Sequence, residues 1–286
     1  MSKIRPAVRF LHYGETRNIG DFYCSPRHYF DFDSERETLI VGGGASNNFF
    51  CGRARKQRAQ MRIAWGIGQS WSLDSKPSRV DRLIKSVKRK LTYARASTRD
   101  ILLASKHLPL VPCVSVFHPV TEIPVGNELG IFLNSDTQVS GLQADFKSAA
   151  TSTVHARALF ANNGLAADEF MTLFGRTGSI ITNSYHAAYW GLLSGRSVHI
   201  LGYSSKFTNL AALFDFPESS VVRIRRGDSA SLHRAIAACE EREPLRLKAP
   251  GAVRANFRAR NLDFARSLAD VGVKAQLKRP YADNDK

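Results

Sequence analysis

The segment 179–207, SIITNSYHAAYWGLLSGRSVHILGYSSKF, constrains the fold more than any other part of the chain. Ile180 to Thr182 is a short β-branched run that suits a buried strand. Asn183 and Ser184 are good helix N-caps, an apolar helical stretch opens at His186, and Gly195 closes it. Val198 to Leu201 reads as a second buried strand, with Tyr203 and Lys206 in the loop beyond it. Strand, helix and strand joined this tightly make a βαβ unit, which commits the chain to a parallel sheet covered by helices. The unit also sets an imidazole at a helix N-terminus, where free N–H groups and the helix dipole favour anions and hold down imidazole protonation.

The rest of the chain alternates in the same way. Strands are expected at Ala7 to His12, Thr38 to Val41, Arg62 to Trp65, more weakly at Leu91 to Ala94, and at Val111 to Val116. Arg79 to Lys90 reads as a helix with a narrow apolar stripe, Val80, Leu83, Ile84 and Val87, opposite a strongly basic face. Pro119 to Asn127 bears no periodicity and is expected to be a linker. Strands at Gly130 to Leu133 and Val154 to Leu159 and helices at Ala166 to Phe174 and Ser229 to Cys239 surround the βαβ unit. A last helical pattern, Val253, Phe257, Phe264 and Leu268, is expected to pack back on the first domain, and the tail Arg279 to Lys286 to be disordered.

At 286 residues the chain has the length of two domains of about 100 to 200 residues each. The expectation is an α/β protein of two Rossmann-like domains, 1–125 and 126–286, facing a cleft, with ligand at the carboxyl ends of both sheets.

Charge narrows the partners. The 41 Lys and Arg exceed the 25 Asp and Glu by 16, so nucleic acid, anionic membrane or phosphorylated substrate are the classes to weigh. The basic residues are dispersed, with no zinc-finger spacing and no aromatic-basic pattern of an RNA-recognition sheet, so no nucleic-acid partner is expected. Cys24, Cys51, Cys113 and Cys239 form no Cys-x-x-Cys pair, the histidines show no metal-ligand spacing, and neither disulfide nor metal is expected. The N-terminus lacks the apolar core of a secretion signal and no apolar run reaches about 18 residues, which makes the cytoplasm the expected compartment.

Four loops after expected strands carry polar or glycine residues suited to a ligand. Arg17-Asn18-Ile19-Gly20-Asp21 follows the first strand; Asn18 and Asp21 can cap a helix, and Gly20 permits close backbone approach. Gly42-Gly43-Gly44 offers backbone N–H groups to an anion or sugar, or is simply a tight turn. Trp65-Gly66-Ile67-Gly68 ends another strand in glycines but does not fit the dinucleotide fingerprint. In Ser97-Thr98-Arg99-Asp100 the arginine can hold a phosphate or carboxylate, or pair with a surface acid. His118 is a lesser candidate beside His186.

Taken in this order, Asn18 to Asp21, Gly42 to Gly44, Trp65 to Gly68, Ser97 to Asp100, and His186-Ala187-Ala188 with Gly191, Gly195 and Tyr203 to Lys206 resemble the polysaccharide pyruvyltransferase family, in its compact exopolysaccharide type. The resemblance spans residues 8 to 210 and implies a glycosyltransferase-B-like fold. It implies transfer of a pyruvyl group from phosphoenolpyruvate, a co-substrate and not a cofactor, onto two sugar hydroxyls as a cyclic ketal. The family holds phosphoenolpyruvate with an Arg-x-His element; His186 matches the histidine, and Ser184 stands where the arginine is expected. Either Arg99, Lys206 or Arg176 then supplies the cation, or the donor differs.

Proton transfer is therefore expected of His186, donor charge of Arg99 and Lys206, and the acceptor hydroxyls of Asp21, with Asn18, Gly20, Gly43, Gly44, Ser184 and Tyr203 lining the substrates. The implied acceptor is a lipid-linked oligosaccharide, reached by a basic enzyme held peripherally at an anionic membrane. A nucleotide-sugar glycosyltransferase of the same architecture, or a non-catalytic basic binding module, accounts for the glycine loops and the charge as alternatives.

Overall fold

The computed structural model describes residues 8–12, 18–44, 47–73, 78–140 and 158–282. The chain is α/β with parallel sheets, and it groups into two compact units, one of residues 1–14, 21–117 and 254–286, the other of residues 15–20 and 118–253. The expected division at 125/126 thus falls at 117/118, and the chain from Arg254 onward belongs with the first unit.

In the first unit β1 (Val8–Leu11), β3 (Thr38–Gly42), β4 (Met61–Ile67) and β5 (Arg95–Thr98) form a parallel sheet in the order β1-β3-β4-β5. All five residues of β3 are buried, as expected of a strand covered on both faces. Helices α1 (Ile19–Tyr23), α2 (Asn47–Lys56) and α3 (Arg79–Thr92) lie between these strands in sequence. A separate antiparallel pair joins β2 (Phe30–Ser34) to β11 (Val273–Leu277); neither was expected, although FDFDS alternates as a half-exposed strand should.

Trp65 on β4 organises this core. Its ring lies 4.9 Å from Phe30, 6.0 Å from Phe32 and 5.0 Å from Phe264, and its indole N–H donates to Asn261 Oδ1 at 2.8 Å. Phe264 and Asn261 lie on the helix Pro250–Ser267, and Asn261 in turn donates to the carbonyls of Pro112 and Phe257. An indole buried with its N–H paired makes a large apolar contribution without a polar penalty.

Two expected strands are absent as such. Leu91 and Thr92 continue α3, where the Tyr93 N–H still donates to the Arg89 carbonyl, and the strand begins only at Arg95. Leu110 makes one isolated bridge to Thr98, closed by the Val111 N–H donating to Thr98 O at 2.8 Å. Pro112 then has no N–H for a ladder, and the chain turns into the 3-10 helix Val114–Phe117.

The second unit is a five-stranded parallel sheet of β6 (Glu128–Leu133), β7 (Leu159–Asn162), β8 (Thr177–Thr182), β9 (Ser197–Gly202) and β10 (Val221–Arg223), ordered β10-β9-β8-β6-β7. Its helices are α4 (Thr137–Ser140), α5 (Ala167–Arg176), α6 (Tyr185–Leu193), α7 (Ser205–Leu213) and α8 (Ser229–Ala237); the long helix Pro250–Ser267 is α9. Every residue of α6 is buried, which matches its apolar composition on all sides. Phe132 packs on Phe170 and Phe174 on one sheet face, while Ile131, Leu133, Ile181 and Leu201 meet Leu232 and Ile236 of α8 on the other.

The expected strand at Val154 to Leu159 lies outside the described residues except at its end, where β7 begins. Pro119 to Asn127 is not a free linker. Val120 and Thr121 are fully buried, and Gly126 and Asn127 donate to the carbonyls of Thr177 and Arg176 at the amino end of β8. Of the expected disordered tail, Arg279–Ala282 is a helical turn and the rest lies outside the described residues.

Arg196, in the turn between α6 and β9, is wholly buried and held by acceptors from three segments. Its Nε donates to Thr177 Oγ1 (3.2 Å), its Nη1 to Ile123 O (3.3 Å), and its Nη2 to Pro124 O (2.7 Å) and Phe174 O (3.0 Å). The guanidinium lies over the Phe174 ring at 4.2 Å, and burial draws its pKa down to about 10, so it stays charged at neutral pH.

Candidate functional site

In the second unit β6 runs on to β7 at one side, whereas β8 runs on to β9 at the other. The crevice outside the carboxyl ends of β6 and β8 is therefore a topological switch point, where open parallel sheets take their ligands. The chain delivers Asn134 from β6, Asn163 from β7, Asn183 and Ser184 from β8, and Tyr203 from β9 to this edge.

The asparagines lock the loops that form the edge. Asn183 is fully buried; its Oδ1 accepts from the Asn134 N–H (2.7 Å) and its Nδ2 donates to Ser140 Oγ (2.9 Å), whose hydroxyl donates to Asn134 O (2.7 Å). Asn163 Oδ1 accepts from the Ser135 N–H at 2.7 Å, and Asn163 O accepts from Ile19 N–H at 2.9 Å. That last bond docks the segment Asn18-Ile19-Gly20 on the switch point. A Cβ at Gly20 would stand 2.5 Å from His186 Cγ and closer still to Nδ1, so only glycine leaves room for the imidazole.

His186 sits in the first turn of α6, is 4% exposed, and packs against Trp190 with ring centres 5.5 Å apart. Ser184 is the N-cap residue of α6 in extended conformation, with no side-chain cap bond; its N–H donates to Thr182 Oγ1 at 2.9 Å. Lys206 is not in a loop as expected. Ser204 stands at the N-cap position of a helix there without a side-chain cap bond, and Lys206 falls in the first turn of α7, its Nζ donating to Tyr203 Oη at 2.6 Å. Asn134 Nδ2 donates to the same hydroxyl at 3.4 Å, which ties the ends of β6 and β9 together.

Two further expectations are corrected. Arg176 ends α5 at the amino edge of the sheet and makes a bidentate pair with Glu128 at 2.8 and 2.9 Å, so it is no donor cation for the carboxyl edge. His118 caps the 3-10 helix Pro119–Glu122, its Nδ1 accepting from the Val120 N–H, and stacks on Trp190; these are structural duties.

Asp21, Gly43, Gly44 and Arg99 belong to the first unit, at the carboxyl edge of its sheet. Gly43 and Gly44 have φ of 61° and 78°, and a Cβ on Gly43 would overlap the Cys24 thiol, so the turn requires glycine. Cys24 donates to Asp21 O at 2.9 Å; burial and the nearby Cys113 push its thiol pKa well up, which leaves it neutral. A Cβ at Gly68 would stand 2.6 Å from Arg99 Nε and 3.2 Å from Asp100 Oδ1, so this glycine makes room for both side chains.

Asp100, beside Arg99 in the first unit, is a strongly perturbed carboxyl group. Burial raises its pKa to about 6, against the opposing pull of Arg99 and of the Gln69 N–H that donates to its Oδ2 at 2.5 Å. A carboxyl group with a raised pKa in the folded state stabilises most below its unfolded value near 4, and that contribution is lost as pH rises through about 6. The variant Asp100→Asn keeps the acceptor for Gln69 and cannot ionise. Thermal melting is expected to show it gaining on the wild type as pH rises from 4 to 7; a constant difference would mean that Asp100 titrates as in solution. His12 and His28, drawn down to about 4 by burial and then Arg27, act in the opposite sense, so only the difference between the two proteins isolates Asp100.

The structure thus brings Asn18, Gly20, Ser184, His186, Tyr203 and Lys206 to one edge and places Asp21, Gly43, Gly44 and Arg99 on the other unit. Asn134, Asn163, Asp100 and Cys24 were missed, though the polar run directly after the apolar strand Gly130 to Leu133 was a signal for Asn134. Among the described residues no group of three or more His, Cys, Asp or Glu is placed to hold a metal ion, and no helix is long and apolar enough to cross a membrane. No protein-family model matches this sequence, and no curated protein matches it.

Proposed function

We propose that this protein transfers the pyruvyl group of phosphoenolpyruvate to two hydroxyls of a sugar, giving a cyclic ketal and inorganic phosphate. The observation that carries the reading is the fit of Gly20 against the His186 imidazole beside the switch point. Two motifs on which the family resemblance rests, far apart in sequence, lie against each other there, and the reading takes the imidazole between them as the proton carrier.

Phosphoenolpyruvate becomes electrophilic when its methylene carbon takes a proton, which leaves positive charge on the neighbouring carbon for a sugar oxygen to attack. His186 is assigned that proton. A second hydroxyl then displaces phosphate; one hydroxyl proton restores His186 and the other leaves with the phosphate. Ser184 is 3% exposed and offers no cation, so Lys206 is assigned the donor's charge on this edge. The roles expected of Asp21 at the acceptor hydroxyls and of Arg99 at the donor fall on the first unit and are not part of the site built on the second. The reading includes the glycosyltransferase-B-like architecture implied by the resemblance, and a lipid-linked acceptor at the cytoplasmic face of a membrane.

Incubation with phosphoenolpyruvate labelled in its pyruvyl carbons and an oligosaccharide acceptor is expected to put acid-labile label on the sugar in step with phosphate release. Release of nucleotide from a nucleotide sugar without pyruvyl transfer would sink this reading and favour the glycosyltransferase, whose diphosphate suits the glycine turn at Gly43 and Gly44. Turnover of neither donor would favour a binding protein.

A further inference from the structure

Helix α3 turns its apolar side away from its own unit. Val80, Leu83, Ile84, Val87 and Leu91 are 46 to 75% exposed, and at 3.6 residues per turn they fall in an arc of about 100°. The buried residues of the helix are Arg89 and Thr92, on the opposite side. Arg55 fastens that side, its Nε donating to Thr92 Oγ1 at 2.9 Å and its Nη2 to Lys88 O at 3.4 Å. A helix that packs by its polar side and shows its apolar side inverts the usual arrangement at a protein surface.

Cations border the exposed stripe. Lys88 lies on one flank and Arg79 and Lys90 on the other, about 70 to 90° from its centre. The helix carries six Lys and Arg against one acid, and that acid, Asp81, is engaged in the N-terminal capping box with Ser78. Beside the helix, Arg82 and Lys90 line a groove of about 890 Å³ with Arg95, Lys106 and Arg260, and Leu102 at its edge is 72% exposed.

We propose that α3 is an interfacial helix that lies in the surface of an anionic lipid bilayer, with Leu83 and Leu91 among the acyl chains and the flanking cations at the headgroup phosphates. Apolar width, bordering Lys and Arg, and a cationic groove alongside are what a phosphate-bearing surface over a hydrocarbon layer requires. A second copy of this chain fits poorly, because it would bring two strongly cationic helices face to face. Fourteen residues span about 21 Å, too short for the roughly 30 Å hydrocarbon core, so the helix lies on the bilayer and does not cross it. The inference stands apart from the proposed reaction, since binding is measured with neither donor nor acceptor present.

The test is flotation of the full chain with phosphatidylcholine vesicles and with vesicles containing about 30% phosphatidylglycerol. The wild type is expected to float with the anionic vesicles and weakly with the neutral ones. Leu83→Ser with Leu91→Ser should lower partitioning about 100-fold, about tenfold per exposed leucine, without changing the melting curve. Lys88→Gln with Lys90→Gln should lower it about 25-fold, near fivefold per cation. Leu83→Trp should be quenched by lipid brominated on its acyl chains. Failure to bind anionic vesicles, binding unchanged in the double leucine variant, or a dimer that this variant dissolves would each overturn the proposal, the last assigning the stripe to a second copy.

Discussion

Replacing Arg196 by methionine is expected to destabilise the second unit by about 3 kcal/mol. Methionine fills much of the space of the buried side chain, and Phe174 O keeps the Thr177 N–H and hydroxyl as donors, but nothing is returned to the carbonyls of Ile123 and Pro124. Each acceptor left unsatisfied in a buried site costs roughly 1 to 3 kcal/mol, and relief from burying a guanidinium offsets part of the sum. Unlike a buried ion pair, this clamp cannot be replaced on both sides, because its partners are mostly backbone. Arg196→Lys keeps the charge without the planar fork and should recover only part of the loss. Urea unfolding followed by circular dichroism and fluorescence checks the order; a change below about 1 kcal/mol for the methionine variant would show that water takes the guanidinium's place.

His186→Ala is expected to lower kcat for pyruvyl transfer by about 10² to 10⁴-fold, the range that a positioned proton donor supplies. Gly20→Ala is its companion. The added methyl would displace the imidazole that now lies against Gly20, so kcat should fall by at least about tenfold with His186 still present. A purely structural histidine would behave otherwise: both variants would melt at lower temperature and keep their turnover per folded molecule. Measuring kcat on folded protein beside a melting curve separates the two outcomes. Added imidazole restoring part of the activity to His186→Ala, but not to Gly20→Ala, would further identify the lost group as a proton carrier.

Local chemistry was enough to read the βαβ unit. β-branched runs at Ile180 to Thr182 and Val198 to Leu201, an apolar helix between them and Gly195 at φ 85° are statements about single residues and near neighbours; α6 and β9 follow within a residue or two, and β8 begins three residues earlier, at Thr177. β3, β4 and β6 were legible for the same reason, since buried parallel strands are continuous apolar runs. Where two local signals competed, the reading slipped. Leu91 to Ala94 has strand-like composition, yet the hydrogen-bond ladder of α3 runs on through Thr92. Val111 to Val116 is apolar and β-branched, yet Pro112 removes the N–H that a ladder needs.

The sequence by itself determined the α/β class, the parallel βαβ core and the residue types that can bear chemistry, because hydrophobic period, caps and glycines act over a few residues. Only the tertiary structure decided which of them meet. The strand order placed the switch point between β6 and β8, long-range hydrogen bonds brought Asn18 to Gly20 beside His186, and packing put Arg176 on the opposite edge. It also turned the apolar stripe of α3 outward, because the helix is anchored through Arg89 and Thr92 rather than through its leucines. Pairings across tens of residues depend on the register of the whole sheet and on which face of a helix is buried, and no local window of sequence contains that information.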